Sequence, residues 1–95
     1  MKIVWTQRAT RHLHAAYEYW AREKSYAAAD EMVKRIFSTV EVLERHPELG
    51  RRGRISGTRE LVLHPTPFVM AYRIRRQTIE VVAFLHGARK WPGRF

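Results

Sequence analysis

Nine side chains in the second half of the chain are of types that could act on a phosphodiester: Arg51, Arg52, Arg54, Arg73, Arg89, Lys90, Glu60, His64 and His86. Cleaving RNA without a metal requires a group to take the 2′-hydroxyl proton, a group to protonate the leaving oxygen, and cations to hold the charged phosphorane. The arginines and Lys90 supply the cations. An arginine is a poor proton acceptor, so the base would have to be His64, His86 or Glu60. Each histidine closes a stretch of strand-like sequence, LVLH and VVAFLH, and either could titrate near neutral pH. The competing role for both is an imidazole hydrogen-bonded to backbone at a strand end.

Other chemistries find less support. His12 and His14 stand two apart in a helical pattern, which points them roughly 200° away from each other and makes them poor joint ligands. With no Cys there is neither a thiolate metal site nor a disulfide framework, and no glycine loop or nucleophile elbow is present; no metal or cofactor is expected. Trp91 and Phe95 cannot transfer protons. They can stack on bases, dock into a partner protein or pack back against a sheet.

The chain has 95 residues, 18 Lys+Arg against 9 Asp+Glu, a formal charge of +9, and a hydrophobic fraction of 45%. That length fits one domain, 1–95, and the apolar content is too high for a disordered basic tail. No apolar run approaches the roughly 18 to 20 residues of a membrane span, and the opening MKIVWTQRATRHLH reaches charge too soon for a signal peptide, so a cytoplasmic location is expected. The charge is lopsided: +2 up to Pro47 and +7 beyond it. Such a field favours a polyanion or an acidic protein segment as partner.

The elements that must position these residues follow from periodicity. Lys2 to Trp5 reads as a short strand, and Thr6 caps a helix to about Lys24 with an apolar stripe of Ala9, Leu13, Ala16, Tyr17 and Trp20. Ser25 caps a second helix, whose stripe is Ala29, Met32, Val33, Ile36, Val40 and Leu43, ending at Pro47. Glu48 to Gly57 has no period and reads as a basic loop. Strands follow at about 59–64, 68–75 and 78–86. Their short links, His64-Pro65-Thr66-Pro67 and Arg76-Gln77, require an antiparallel meander. The expected fold is therefore α+β, with about four strands in one sheet and both helices on its apolar face, where Phe68, Met70, Tyr72 and Ile74 point. The opposite face would carry arginines and be partly open.

Together, WTQRATRHL, ERHPELGRRGRISGTRELVLH, PFVMAYRI and IEVVAFLHGARKWP resemble the RelE/ParE superfamily of toxins from bacterial type II toxin–antitoxin modules, over nearly the whole chain. HPELG, SGTREL, Tyr72-Arg73 at the end of an aromatic-rich strand, and LHGARKW are the most specific parts. The resemblance implies a toxin that halts growth, a cognate antitoxin whose acidic, partly disordered segment folds on binding, and a higher-order toxin–antitoxin assembly.

Two mechanisms occur in that superfamily: RelE-like members cut messenger RNA in the ribosomal A site, and ParE-like members poison DNA gyrase. The RelE pattern implies phosphate-binding cations at Arg51, Arg52 and Arg54, an arginine where this chain has His64, and an arginine after the last strand, matched by Arg89. Its proton-transferring tail tyrosine has no counterpart, since Trp91 and Phe95 stand there. SGTREL and LHGARKW look more like ParE, so gyrase inhibition is expected, with ribosome-dependent endoribonuclease activity as the alternative. In the first case Arg51, Arg52, Arg54, Arg59, Arg73, Lys90, Trp91 and Phe95 engage target or antitoxin. In the second, His64, Arg89 and His86 would be catalytic.

Overall fold

A computed structural model describes all 95 residues. The elements run β1 (Lys2–Trp5), α1 (Gln7–Glu23), α2 (Tyr26–Arg45), β2 (Arg51–Arg52), β3 (Arg59–Val62), β4 (Phe68–Arg75) and β5 (Thr78–His86). They form the α+β arrangement that the sequence patterns call for. Both helices start where a hydroxyl can satisfy an otherwise orphaned amide. Thr6 Oγ1 accepts from the Ala9 N–H at 3.1 Å and Ser25 Oγ from the Ala28 N–H at 3.0 Å.

The sheet has five strands in the order β1-β5-β4-β3-β2. Strands β2 to β5 pair antiparallel, while β1 lies parallel to β5, with Trp5 opposite Val81. The fifth strand is a correction: β2 lies inside the segment expected to be an unstructured basic loop, pairing Arg51 with Glu60 and Arg52 with Arg59. A ladder two residues long is too short to leave a periodic signal.

The expected helix stripes meet the sheet. Ala9 and Ala16 of α1 and Met32, Ile36 and Leu43 of α2 join Phe68, Met70, Tyr72, Ile79, Val81 and Phe84 in one buried cluster. Ile74 does not, being 39% exposed near the tip of the β4–β5 hairpin. At that tip Arg76 and Gln77 both take positive φ, 51° and 60°, the handedness that a two-residue hairpin turn requires.

The second face also departs from expectation. A register shift between Ala71 and Tyr72 leaves β5 with one extra residue, changing the parity of its side chains between Val81 and Phe84. Val82 and Ala83 consequently join Ala71 and Leu85 in a second buried cluster, against which Trp91 and Phe95 pack. Near its centre this face is apolar and covered by the tail; arginines flank it, Arg51 and Arg54 beside Glu60 towards the β2 edge and Arg73 and Arg75 at the hairpin end.

Candidate functional site

The basic segment is organised by one carboxylate. Glu60 is 2% exposed, and its oxygens accept from Arg51 Nη2 at 3.1 Å, from the Arg54 backbone N–H at 2.8 Å, and from Arg54 Nε and Nη2 at 3.1 and 3.2 Å. Burial alone would push this carboxyl upward. The hydrogen bonds from Arg54 and Arg51 outweigh it and hold the group below its ordinary value. Beside it, the Tyr72 hydroxyl donates to the Pro47 carbonyl at 2.7 Å and accepts from the Gly50 N–H at 2.9 Å. Gly50 is obligatory there, because a Cβ would lie 2.7 Å from that hydroxyl oxygen. Arg59 donates to the Gly50 carbonyl at 2.7 Å.

From this hub Arg54 reaches the tail. Its Nη1 donates to the Gly87 carbonyl at 3.0 Å, and its guanidinium lies 3.9 Å from the Trp91 ring centroid. The Trp91 indole N–H donates to the His86 carbonyl at 3.2 Å, and Phe95 packs beneath Arg8 of α1. The tail is thereby bent back against α1, forming a concavity of about 470 Å³ in which Arg8, His12, Arg89, Lys90 and Arg94 surround an apolar lining of Leu85, Trp91, Pro92 and Phe95. A second hollow of about 350 Å³ continues from it past His12 and Arg89 to Tyr19, Arg22 and His86.

His12 holds the seam between the hollows. Strand β1 pairs with β5 only as far as Val81, so the outer edge of β5 beyond that point has no neighbouring strand. The His12 Nδ1 accepts from the Phe84 N–H there, at 3.3 Å. His86 is bound similarly, its Nδ1 accepting from the Ala88 N–H at 3.1 Å. In the neutral ring an accepting Nδ1 places the proton on Nε2, so both imidazoles are assigned as Nε2–H tautomers. Burial, reinforced by Arg89, Arg8 and Arg11, holds His12 below its ordinary value.

Comparison with known proteins agrees with this architecture. A family model described as "ParE toxin of type II toxin-antitoxin system, parDE" matches residues 3–91. The chain belongs to the ParE toxin family. It is 41% identical over 91 residues to a Sinorhizobium fredii (strain NBRC 101917 / NGR234) protein named "Putative toxin Y4kP", covering 96% of this chain and 93% of that one. A solved structure titled "Chromosomal ParDE TA system from P. aeruginosa" superposes with a TM-score of 0.78 at 25% identity, covering 90% of this chain and 95% of that one. This ParE toxin is thus the toxin half of a toxin–antitoxin pair, with a cognate antitoxin as its partner.

In the ParE toxin the residues singled out from sequence fall into three groups. Arg51, Arg54, Arg59 and Arg73 are engaged within the fold, Arg73 through Glu80 at 2.6 Å. Arg89, Lys90, His86, Trp91 and Phe95 surround the groove. Arg52 and His64 are exposed, and His64, in the turn after β3, lines neither hollow. Sequence reasoning missed the groove's α1 wall, Arg8, His12, Tyr19 and Arg22. Their spacing along one helix stripe was visible, but what faced them was not.

Proposed function

We propose that this ParE-family toxin arrests growth by inhibiting DNA gyrase, and that its antitoxin neutralises it through an acidic, partly disordered segment within a higher-order complex. The tyrosine that transfers protons in RelE-like tails is absent, so proton transfer would fall to the imidazoles. The observation that carries the reading is the state of those imidazoles. His12 and His86 both spend Nδ1 on a backbone N–H, which leaves each neutral ring with a donor and no free lone pair to accept a 2′-hydroxyl proton. His64 stands apart from the groove cations. An inhibitor requires no base at all, only a rigid surface.

The ribonuclease alternative draws on one specific feature: His12, Tyr19, Arg22, His86 and Arg89 line a single hollow. A supercoiling assay beside a cleavage assay on programmed ribosomes separates the two. Loss of gyrase supercoiling with intact messenger RNA is expected. Codon-positioned cleavage that His86→Ala or His64→Ala abolishes would overturn the reading.

A further inference from the structure

The turn between β4 and β5 takes a shape that its residues oppose. Arg76 and Gln77 both sit at positive φ, 51° and 60°, and neither is glycine or asparagine. A two-residue turn of this handedness favours Asn-Gly, because a Cβ crowds the backbone in the left-handed region. Elsewhere the chain places glycine where φ is positive, at Gly57 with φ 81°. At the hairpin it carries two long polar side chains instead, both exposed. Strain of this kind gathers at positions that act on something outside the fold.

The tip is also composed like a contact surface. Along β4 the side chains of Phe68, Met70 and Tyr72 are buried in the helix-facing core, but Ile74, next on that face, is 39% exposed. On the other face Arg73 is paired with Glu80 at 2.6 Å. Arg75 and Arg76 edge a hollow of about 540 Å³ that Thr78 and Glu80 complete. The tail, which covers the centre of this face and is tied to Arg54, contributes nothing to that hollow.

We propose that the hairpin tip, Ile74 to Gln77, is the part of the toxin that docks on its target, and that it fits a protein surface with an apolar recess for Ile74 and carboxylates for Arg75 and Arg76. Unpaired cations alone would not single out this place, since they occur over much of the surface; the strained turn and the exposed Ile74 do. The lining decides the class of partner. A phosphate backbone is met by cations, whereas here the Glu80 carboxylate stands beside the arginines and would repel it. An apolar side chain beside arginine, with charge of both signs at the rim, is the make-up of a protein contact. The proposal rests on the gyrase reading only for the name of the target, which would then be a surface of gyrase itself.

The experiment combines Arg76→Asn with Gln77→Gly, giving the turn the residues its shape favours. Relief of strain should raise the melting temperature by about 2 to 6 °C. Growth arrest should nevertheless be lost, and the toxin concentration that blocks supercoiling should rise about tenfold or more, while affinity for the cognate antitoxin stays within about threefold. Ile74→Thr and Arg75→Gln should each weaken the block several fold, and Arg35→Gln, which removes one exposed charge from α2, should leave it unchanged. Wild-type toxin should bind purified gyrase immobilised without DNA. A stabilised double variant that still arrests growth would overturn the site. So would a melting temperature that falls, an equal loss from Arg35→Gln, binding that requires DNA, or a loss confined to antitoxin affinity. If the wild type leaves supercoiling intact, the gyrase reading fails by itself, and growth arrest by the double variant still decides the role of the tip.

Discussion

Arg54 stacks on Trp91 at 3.9 Å while its Nε and backbone N–H hold the buried carboxylate of Glu60. One side chain therefore ties the β2–β3 segment to the C-terminal tail. A guanidinium suits this position because it presents a fork of donors to the carboxylate and a flat face to the indole at once. The groove exists because this bridge bends the tail toward α1, so its mouth depends on a glutamate that does not line it.

The first prediction separates arginines that the sequence treats alike. Arg52 is exposed and has no side-chain hydrogen bond or ion pair, so Arg52→Ala should change stability by no more than about 0.5 kcal/mol. Arg54→Ala strips Glu60 of its main partner and should cost about 1.5 to 3 kcal/mol. Urea titrations of the two variants check this. Similar midpoints for both would show that the Glu60 hub contributes nothing.

Glu60 itself should set part of the acid stability. Its carboxyl titrates below the ordinary value of 4.5, so the folded state prefers the ionised form. The stabilisation is present above that value and is lost as pH falls through the lower, folded one. Glu60→Gln removes this dependence. The gap in melting temperature between wild type and variant should be constant from about pH 7 to 5 and narrow below about pH 4.5. At neutral pH it should correspond to the lower part of roughly 1.5 to 3 kcal/mol, because Arg51 and Arg54 are both in contact with solvent. A gap independent of pH would mean that the carboxylate charge is not what Arg54 recognises.

The helices, their caps and the meander were legible because each leaves a local trace: a hydroxyl before a 3.6-residue stripe, an alternating strand, a two-residue link. The parallel β1–β5 pair joins residues some 76 apart, and nothing near Lys2 announces Thr78. The extra residue in β5 was hidden because Val81, Val82, Ala83 and Phe84 are all apolar, so a change of parity leaves the pattern unaltered. Glu60 was read as a candidate base. Its place immediately before the apolar run Leu61 to Leu63, beside a segment rich in arginine, was the available sign of a buried ion pair. The groove was half visible, since Arg89, Lys90, Trp91 and Phe95 were chosen from the tail while the α1 wall required the tertiary fold.

Tyr72 should prove structural despite being a hydroxyl close to cations. It is fully buried, donating to Pro47 and accepting from Gly50, the turn that launches β2. Tyr72→Phe leaves that carbonyl and that N–H without their partner, a cost of about 1 to 3 kcal/mol. Denaturant unfolding should show the loss, while growth arrest by the variant persists at a temperature where it stays folded. Loss of arrest in a variant with unchanged stability would instead place this hydroxyl in the target contact.

The last prediction concerns the two imidazoles of the groove. With Nδ1 of His12 and His86 accepting from Phe84 and Ala88, nitrogen NMR near pH 7.5 should find both rings protonated at Nε2 and bare at Nδ1. His86→Ala removes a capping acceptor and the edge contact with Phe68 without touching the Arg54–Trp91 bridge. An inhibitor that acts through its surface should keep its growth arrest in this variant, and its block of supercoiling should weaken by no more than a few fold. An enzyme using that imidazole as acid or base would lose about 10² or more in rate. If instead His86 is protonated at Nδ1 and the alanine variant is inactive though folded, the lone pair at Nε2 is free to act and the ribonuclease reading gains the base that it lacks.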